Sequence, residues 1–445
     1  MALTGIQIFK LLPKTNCGEC GVPTCLAFAM NLAAGKAELS KCPHVSAETK
    51  AKLGAESAPP IRTVEIGAGA AAVKVGGELV LFRHEKTFVN KTAIAVAVGD
   101  DEKDADVDAK LKRFTELSYL RVGLTLSADL VAVRSKSGDP ARFAAVVKKA
   151  AAVAPLILMA DKADVLAAGL KECAGKRPLL WAATADNADA VFALAKEHKA
   201  PVVVRGDGAE AVATLAEKAA AAGLQDIVLD TGATKLGRIL ADQTNIRRLA
   251  IWKKHRPVGY PTLVVAADVA SDPLQEAMVA AAGIAKYAGI VVLSDVRGET
   301  LFPLLLERLN IFTDPQRPMK TDPGIYELNK PGPESPVLIT SNFSLTYFIV
   351  SGEIEASRVP SYLLILDTDG LSVLTAWAAG KFVGDAVGIF VKKCGINDKV
   401  TKKRLILPGA LAVISGDVEE EVGGDWEVKI GPREASNLTA YLRGM

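Results

Sequence analysis

The sequence predicts an α/β protein of three parts: a cysteine-rich N-terminal domain, a central (β/α)8 TIM barrel and a smaller C-terminal α/β domain. Three observations predict this order. Four of the six cysteines lie within residues 17–42, apolar runs alternate with Ala-rich amphipathic stretches through the middle of the chain, and six prolines fall within residues 314–336. A chain of 445 residues is also too long for one ordinary hydrophobic core, which favours two or three domains.

Composition narrows the class of partner. The chain carries 53 basic and 51 acidic residues, a net charge of +2, and has no basic stripe. We therefore expect neither nucleic acid nor an anionic membrane as a partner. The N-terminus has no secretory signal, and no apolar run approaches the roughly 20 residues that span a bilayer. We expect a cytoplasmic protein whose thiols stay reduced, so clustered cysteines indicate a metal site.

Residues 1–58 are predicted to be a metal-cluster domain. Its cysteines, Cys17, Cys20, Cys25 and Cys42, follow the spacing C-x2-C-x4-C-x16-C. Glycines between them permit the tight turns that bring three thiolates to one point. Three close cysteines, a gap and a final Cys-Pro resemble ferredoxin-type ligation, which favours a [4Fe–4S] cluster and electron transfer.

Two other interpretations of this cysteine pattern stay open. A structural zinc site usually shows two separated C-x2-C pairs or Cys/His pairs, whereas this chain has one pair. A disulfide or a redox C-x-x-C would leave Cys25 and Cys42 unexplained. The remaining cysteines, Cys173 and Cys394, are expected to be small buried hydrophobes. We expect His44 to be a surface histidine despite its position near the cluster ligands.

Residues 59–315 are predicted to form the barrel. A polar linker over 46–62 and a hairpin of Thr63–Ile66 with Glu78–Arg83 lead into eight apolar runs that alternate with helical stretches. Eight such units favour a barrel over a doubly wound sheet, which would need a break in strand order that the sequence does not reveal. The predicted strands are Ala93–Val98, Leu130–Val133, Leu156–Met159, Leu179–Trp181, Val202–Val204, Ile227–Leu229, Leu263–Ala266 and Ile290–Leu293.

The barrel carries no recognised catalytic motif. Its working face is expected at the carboxyl ends of the strands, where several runs end in an aspartate. Aspartate at such a position is also a good helix N-cap, and capping is the role we expect. The residues are Asp100, Asp161, Asp207, Asp230, Asp268 and Asp295.

The proline-rich segment 316–336 is predicted to be an extended linker. A Rossmann-like α/β domain with ligand-binding loops at its strand ends is predicted over 337–445. Its predicted elements are strands Val337–Thr340, Leu363–Leu366, Leu405–Leu407, Ala410–Ile414 and Trp426–Ile430, and helices Thr375–Lys381, Asp385–Lys393 and Arg433–Arg443.

These parts in this order resemble one family, the large (gamma) subunit of the corrinoid iron–sulfur protein of the reductive acetyl-CoA pathway. The resemblance is carried by NCGECGVPTC near the N-terminus and by four C-terminal segments, TSNFSLTY (340–347), DTDGLSVLTAWAAGK (367–381), LPGALAVISGDVEEE (407–421) and GPREA (431–435). It covers essentially the whole chain.

The resemblance implies a methyl-group carrier that acts with partner enzymes in anaerobic carbon fixation. In that family a bound cobamide, as Co(I), accepts a methyl group from methyltetrahydrofolate through a separate methyltransferase. It passes the methyl group to acetyl-CoA synthase/CO dehydrogenase. The [4Fe–4S] cluster, supplied by an electron donor such as ferredoxin, reductively reactivates Co(II). The large subunit forms a heterodimer with a small corrinoid protein subunit, and the cobamide lies between them over the C-terminal domain.

The resemblance also assigns site residues. Glycine lets backbone approach a bulky ring, hydroxyls can bond its amide side chains, and an arginine can meet its phosphate. Two of the glycines, Gly370 and Gly380, are equally explained as turn and helix-end glycines. No catalytic residue is assigned. The cluster ligands map onto Cys17, Cys20, Cys25 and Cys42, and the cobamide contacts onto Thr340, Thr346, Gly370, Leu371, Ser372, Val373, Gly380 and Arg433.

The chain lacks the D-x-H-x-x-G motif that supplies an axial histidine in many cobalamin proteins. Because a strong axial nitrogen stabilises the higher oxidation states of cobalt, its absence is expected to make Co(I) easier to reach. The alternative function is a barrel-type pterin methyltransferase with an appended electron-transfer module. It would use Asp161, Asp207 or Asp230 on the barrel.

Overall fold

The structure, a computed structural model, describes residues 5–33, 37, 39–46, 49, 59–121, 124–313 and 319–445. The chain divides into two compact units. The first unit runs to residue 118 and resumes over 127–312, and the second contains 119–126 and the chain from 313 onward. Most of the linker predicted over 46–62 lies outside the described residues.

Two short helices form the N-terminal domain. α1 (Gly5–Leu11) and α2 (Cys25–Ala33) pack against each other, and their shared core includes Ile8 and Phe28. A 3-10 turn, Leu39–Lys41, returns the chain to this core. Because the core is so small, a bound metal group would supply much of the stability of this domain.

A two-stranded antiparallel hairpin leads into the barrel. It consists of β1 (Val64–Ile66) and β2 (Val73–Val75). Val64, Ile66 and Val75 are fully buried in the core of the barrel, and Val73 packs against that core. The predicted second strand, Glu78–Arg83, is wrong. Gly76 and Gly77 both have positive φ and end β2 before that segment begins.

Eight parallel strands form a nearly closed barrel: β3 (Ala93–Gly99), β6 (Leu130–Arg134), β7 (Leu156–Met159), β8 (Leu179–Ala183), β9 (Val202–Arg205), β10 (Ile227–Asp230), β11 (Leu263–Val265) and β12 (Ile290–Leu293). Their order is β10-β9-β8-β7-β6-β3-β12-β11. A parallel bridge between Leu229 and Thr262 joins the two edges. All eight predicted strands are confirmed, because each is an apolar run long enough for one strand and buried on both faces.

Helices alternate with these strands, as the predicted architecture requires. A hairpin of β4 (Ser118–Arg121) and β5 (Leu124–Ser127), which the sequence did not predict, lies between the first helix of the barrel and β6. The helices are α3 (Asp104–Glu116), α4 (Pro140–Ala150), α5 (Ala163–Glu172), α6 (Ala188–Glu197), α7 (Gly208–Ala221), α8 (Leu236–Arg247), α9 (Pro273–Ala285) and α10 (Gly298–Phe312).

The second unit is built on a five-stranded sheet: β13 (Gly324–Leu328), β14 (Val337–Ser341), β15 (Ser361–Leu366), β16 (Arg404–Leu407) and β17 (Glu427–Ile430). The order is β13-β15-β14-β16-β17, with β13 antiparallel to β15 and the other pairs parallel. The helices are α11 (Ser344–Ser357), α12 (Val373–Ala378), α13 (Gly384–Lys393), α14 (Ser415–Val422) and α15 (Leu438–Arg443).

Three predictions for this unit need correction. The segment 316–336 is not a linker throughout, because β13 adds to the edge of the sheet by backbone pairing. The run Ala410–Ile414 lies within a 3-10 helix, Gly409–Ile414, rather than in a strand. The last helix begins at Leu438 rather than at Arg433, because Gly431 and Pro432 keep the chain extended after β17. Within the described residues, no helix is long and apolar enough to cross a membrane.

Candidate metal centre and ligand cleft

The four N-terminal cysteines lie around one small core. Cys25 and Cys42 are buried in it, with 5 % and 4 % of their surface exposed, and Cys20 packs against it. Cys17 is exposed. All four are free thiols, so the complete predicted ligand set is available to a metal group.

Local backbone geometry prepares two of these sulfurs for ligation. The backbone N–H of Asn16 donates to Cys25 Sγ at 3.4 Å, and the backbone N–H of Cys25 donates to Asn16 Oδ1 at 2.8 Å. Cys25 is also the first residue of α2, so it lies at the positive end of the helix dipole. Gly18 and Gly21 both have positive φ, and they close the turn that carries Cys20. N–H groups directed at sulfur are a feature of cluster ligation.

The spacing of the sulfurs bears on the zinc alternative. Across the described residues, the group of three or more possible ligand atoms that lie within 4.8 Å of one another is Cys17, Glu19 and His44. Three sulfurs of one tetrahedral zinc site would lie about 4 Å apart, given Zn–S bonds of about 2.3 Å. Among the described residues, no three of the four cysteine sulfurs form such a group. Four thiolates at the spacing C-x2-C-x4-C-x16-C are a typical donor set for an iron–sulfur cluster. The donor set therefore fits an iron–sulfur cluster.

His44, expected to be a plain surface histidine, lies beside this site. Its Nε2 is 3.1 Å from Glu19 Oε2, and both groups lie close to the Cys17 sulfur. The isolated cysteines differ from the cluster set. Burial raises the pKa of the Cys173 thiol to about 11, which makes it unreactive at neutral pH. Burial also raises the pKa of Cys394.

A cleft opens at the carboxyl ends of β14 and β16, with a volume of about 630 Å³ when the open solvent at its mouth is included. The chain crosses from β14 to β15 on one side and later to β16 on the other side. Such a reversal of strand order is where open α/β sheets form their ligand crevices. The walls are mostly apolar and come from strands, helices α11 and α15, and the loops after β16 and β17; they include Leu338, Val350, Val373, Ile406, Ala410 and Leu438.

Four of the eight predicted cobamide contacts line this cleft: Thr340, Thr346, Val373 and Arg433. Among the residues that the structure describes, the side chains of Thr340, Thr346 and Arg433 form no hydrogen bond or ion pair with the rest of the chain. Apolar walls with a few uncommitted polar groups are typical of a site for a large organic ligand. The residues present therefore fit a corrinoid, with hydroxyls for its amide side chains and a guanidinium for its phosphate.

The other four predicted contacts lie next to the cleft lining rather than in it. Gly370 has a φ of +78° in the loop after β15, and Leu371 and Ser372 continue that loop to α12. The Ser372 hydroxyl is 2.9 Å from that of Thr375. Gly380, with a φ of +69°, follows the end of α12. The turn and helix-end interpretations of the two glycines therefore agree with their backbone conformations.

The sequence interpretation missed how two loops hold the far wall of the cleft. The backbone N–H of Gly409 donates to the Pro432 carbonyl at 3.1 Å, and that of Gly431 donates to the Leu407 carbonyl at 2.8 Å. A Cβ on Gly409 would lie 2.4 Å from the Gly431 carbonyl oxygen, so only glycine fits. The signal was present in the segments LPGA and GPREA, where glycine and proline directly follow two strands.

Acid–arginine pairs occupy the carboxyl end of the barrel. Arg134 binds both oxygens of Asp268, at 2.7 and 3.1 Å. Asp230 accepts from Trp181 Nε1 at 2.8 Å, and Arg205 Nε lies 3.4 Å from it. Burial raises the pKa of Asp230, although its hydrogen bonds and Arg205 oppose that shift.

The capping role expected for the strand-end aspartates is not what the described residues show. Asp100 binds the loop after β6, Asp207 pairs with Arg238, and Asp295 pairs with Arg113. These three carboxylates bind neighbouring loops and helices instead of the helix that follows their own strand. Asp161, Asp207 and Asp230, the candidates for a barrel methyltransferase, do not bring their carboxylates within 4.8 Å of one another.

Comparison with known proteins gives consistent matches along the whole chain. The family model for the CO dehydrogenase/acetyl-CoA synthase delta subunit matches residues 63–442, and an Fe–S cluster model matches residues 12–44. The corrinoid/iron–sulfur protein large subunit of Moorella thermoacetica is 48% identical over 445 residues, which is 100% of this chain and 99% of that protein. The acetyl-CoA decarbonylase/synthase complex subunit gamma of Methanothermobacter thermautotrophicus is 34% identical over 99% of both chains. The gamma subunit of Archaeoglobus fulgidus is 35% identical over 98% of this chain and 97% of that protein.

Proposed function

The chain belongs to the family of corrinoid/iron–sulfur protein large subunits, and from this premise we propose that it is a methyl-group carrier of the reductive acetyl-CoA pathway. In this proposal the bound cobamide carries the methyl group on cobalt, and a [4Fe–4S] cluster returns oxidised cobalt to its reactive state. The single observation that supports it best is the apolar cleft at the strand-order reversal, where Thr340, Thr346 and Arg433 are uncommitted.

The chain's own groups have distinct tasks. The apolar wall excludes water from one side of the ring, while Thr340 and Thr346 offer hydroxyls to amide side chains. Arg433 is exposed at the cleft and offers a guanidinium to a phosphate. The four N-terminal cysteines hold the cluster, and the Asn16 N–H donates to the Cys25 sulfur at the start of α2.

The proposal includes partners. We expect a heterodimer with a small corrinoid protein subunit, a methyltetrahydrofolate methyltransferase as methyl donor and an acetyl-CoA synthase/CO dehydrogenase as acceptor. A ferredoxin-like donor would supply electrons, and the assembly would work in the cytoplasm. Membership of the family in acetyl-CoA decarbonylase/synthase complexes supports partner subunits of this kind.

Metal analysis of the protein purified without oxygen tests both cofactors at once. The expected result is about four iron atoms and about one cobalt atom per heterodimer. Zinc without iron would refute the cluster assignment, and iron without cobalt would refute the carrier function.

Substitutions at the cysteines separate the two roles. Cys17→Ala is expected to leave methyl transfer from pre-reduced protein intact while it blocks reactivation of oxidised cobalt. Cys394→Ala, which removes a thiol outside the cluster set, is the matched control and should change neither. Loss of both reactions in Cys17→Ala would show that the cluster is structural.

Substitutions in the cleft test the corrinoid site. Arg433→Ala should weaken corrinoid binding about tenfold, the value of one charge-assisted hydrogen bond. Arg358→Ala removes an exposed arginine elsewhere on the same unit and should have no effect. Equal affinities for the two variants would place the phosphate elsewhere.

A further inference from the structure

We infer that Asn342 is a positioning residue, which holds the loop after β15 in the conformation that places Val373 in the wall of the ligand cleft. Asn342 follows β14 directly and is completely buried. It does not line the cleft. The inference rests on the proposed corrinoid function of that cleft.

All the hydrogen bonds of the Asn342 side-chain amide go to this one loop. Its Oδ1 accepts from the backbone N–H of Thr368 at 3.0 Å and of Gly370 at 2.8 Å. Its Nδ2 donates to Asp367 Oδ1 at 2.8 Å. The Thr368 hydroxyl lies 2.9 Å from both the Asn342 Oδ1 and the Leu371 carbonyl oxygen, and donates to one of them. One buried amide therefore binds three residues of the loop, Asp367, Thr368 and Gly370.

The loop makes a tight turn over residues 368–371, next to the Asn342 amide. Asp369 and Gly370 have φ values of +56° and +78°, and the Leu371 N–H closes the turn on the Thr368 carbonyl at 3.1 Å. Two successive positive φ values are characteristic of a type I′ turn, for which Asp-Gly is a favoured pair. The hydrogen bonds from Asn342 stabilise this turn from the core side.

The position of this turn determines where part of the cleft wall lies. The chain runs from Gly370 through Leu371 and Ser372 to Val373, whose side chain lines the cleft. Ser372 and Val373 also begin α12. A shift of the turn would therefore move Val373 and the start of α12 relative to Thr340, on the neighbouring strand.

Only asparagine satisfies this arrangement. The loop offers donors at Thr368 and Gly370 but an acceptor at Asp367, so position 342 must accept and donate at once. An aspartate would still accept from the two N–H groups, but it would place a second carboxylate against Asp367 at about the 2.8 Å of the present hydrogen bond. Exchanging the two residues restores one donor and one acceptor between positions 342 and 367. It removes one other contact, because the Asp367 Oδ1 also accepts from the backbone N–H of Asp369 at 3.1 Å.

This exchange provides the experiment. The heterodimer with the small subunit, freed of corrinoid, is titrated with hydroxocobalamin, and amide hydrogen exchange is measured at Thr368 and Gly370 of this chain. Asn342→Asp should weaken binding at least about tenfold, as loss of an outer-shell partner does at other cofactor sites, and should speed exchange at both amides. The double variant Asn342→Asp with Asp367→Asn should recover affinity to within about threefold and slow the exchange again.

The outcomes are separable. Asp425→Asn, an exposed acid on the same unit, is the control and should behave as wild type. If wild-type protein binds hydroxocobalamin and Asn342→Asp binds equally well, or if the double variant stays as weak as the single one, the positioning role is overturned. If wild-type protein does not bind hydroxocobalamin, the proposed function itself fails.

Discussion

Asn16 and Cys25 hold each other in two hydrogen bonds, one from each backbone nitrogen, at 2.8 Å to the Asn16 Oδ1 and 3.4 Å to the Cys25 sulfur. Asn16 has a φ of +48°, a conformation that asparagine tolerates better than most residues. One residue thus supplies a left-handed turn, a cap for the first N–H of α2 and a donor to a predicted cluster ligand.

Two substitutions at Asn16 separate these contributions. Asn16→Gly keeps the left-handed backbone but removes the side-chain acceptor, whereas Asn16→Asp keeps both. We expect Asn16→Gly to lose iron faster on exposure to air, because the N-terminus of α2 loses about 1 kcal/mol of capping. Asn16→Asp should retain iron. Iron content over time by absorbance at the cluster band measures this, and equal loss from both variants would contradict it.

A methyl group at Gly409 should damage the cleft. Its Cβ would lie 2.4 Å from the Gly431 carbonyl oxygen and 2.7 Å from the Arg433 nitrogen. Gly409→Ala is therefore expected to lower the free energy of unfolding by about 1–3 kcal/mol and to reduce corrinoid retention. Gly416→Ala, within α14 and with open space around its Cβ, is the matched control and should stabilise slightly. Thermal unfolding and cobalt content measure the two effects. Equal stability and equal cobalt content in the two variants would contradict this prediction.

Asp100 is expected to make stability depend on acid pH. Burial alone raises the pKa of its carboxyl, but hydrogen bonds from the Ser137 hydroxyl and backbone, the Lys136 backbone and the Ser135 hydroxyl outweigh burial and hold the pKa below its ordinary value. A carboxyl with a lowered pKa contributes stability above the unfolded pKa of about 3.9, and this contribution is lost as the pH falls through the folded pKa.

Asp100→Asn should therefore cost about 1–3 kcal/mol at pH 7. The difference from wild type should shrink below about pH 4, since protonation then weakens the wild-type contacts too. Urea unfolding at neutral pH and near pH 3 measures the two differences. A difference that stayed constant with pH would rule out the ionised carboxylate as the cause.

The buried pair of Arg308 and Asp129 should support the barrel. Arg308 is 2% exposed and also donates to the Thr92 and Ser127 carbonyls, at 3.1 and 3.0 Å. Arg308→Met leaves a buried carboxylate with one partner fewer and should cost about 3–5 kcal/mol. Lys91, whose side chain is half exposed, is the other cation that pairs with Asp129. Lys91→Met should therefore lower the free energy of unfolding by less than about 1 kcal/mol. Chemical denaturation compares the two, and similar costs would contradict this assignment.

The sequence predicted the barrel because parallel strands buried on both faces are continuous apolar runs, such as Ile290–Leu293. It missed β13, because the six prolines around Gly324–Leu328 hide a strand that needs only one partner at a sheet edge. It missed α11, whose SLTYFIVS start is rich in β-branched and aromatic residues. Tertiary packing decides both cases, and local propensity does not report it.

The candidate sites show the same division. The cysteine spacing predicts a metal centre because sulfur ligands are rare and chemically distinctive. Thr340, Thr346 and Arg433 were assigned by resemblance, since isolated hydroxyls and cations carry no pattern of their own. Asn342 was missed because its partners, at 367, 368 and 370, are distant in sequence and two of them are backbone nitrogens. A side chain that binds backbone groups does not restrict the residue types of its partners, so the sequence carries no pattern that reveals it.

Because of the hairpin between α3 and β6, the C-terminal unit cannot be separated from the rest of the chain by one truncation. Its residues 119–126 belong with the chain from 313 onward, and the Arg121 guanidinium lies 4.3 Å from the centre of the Phe348 ring. A chain truncated after Phe312 would keep this hairpin but lose the unit that the hairpin belongs to. Leu120 and Leu124 are already exposed, and Arg121 would lose its contact with the Phe348 ring. Any attempt to isolate or exchange the C-terminal unit must therefore transplant two pieces of sequence together.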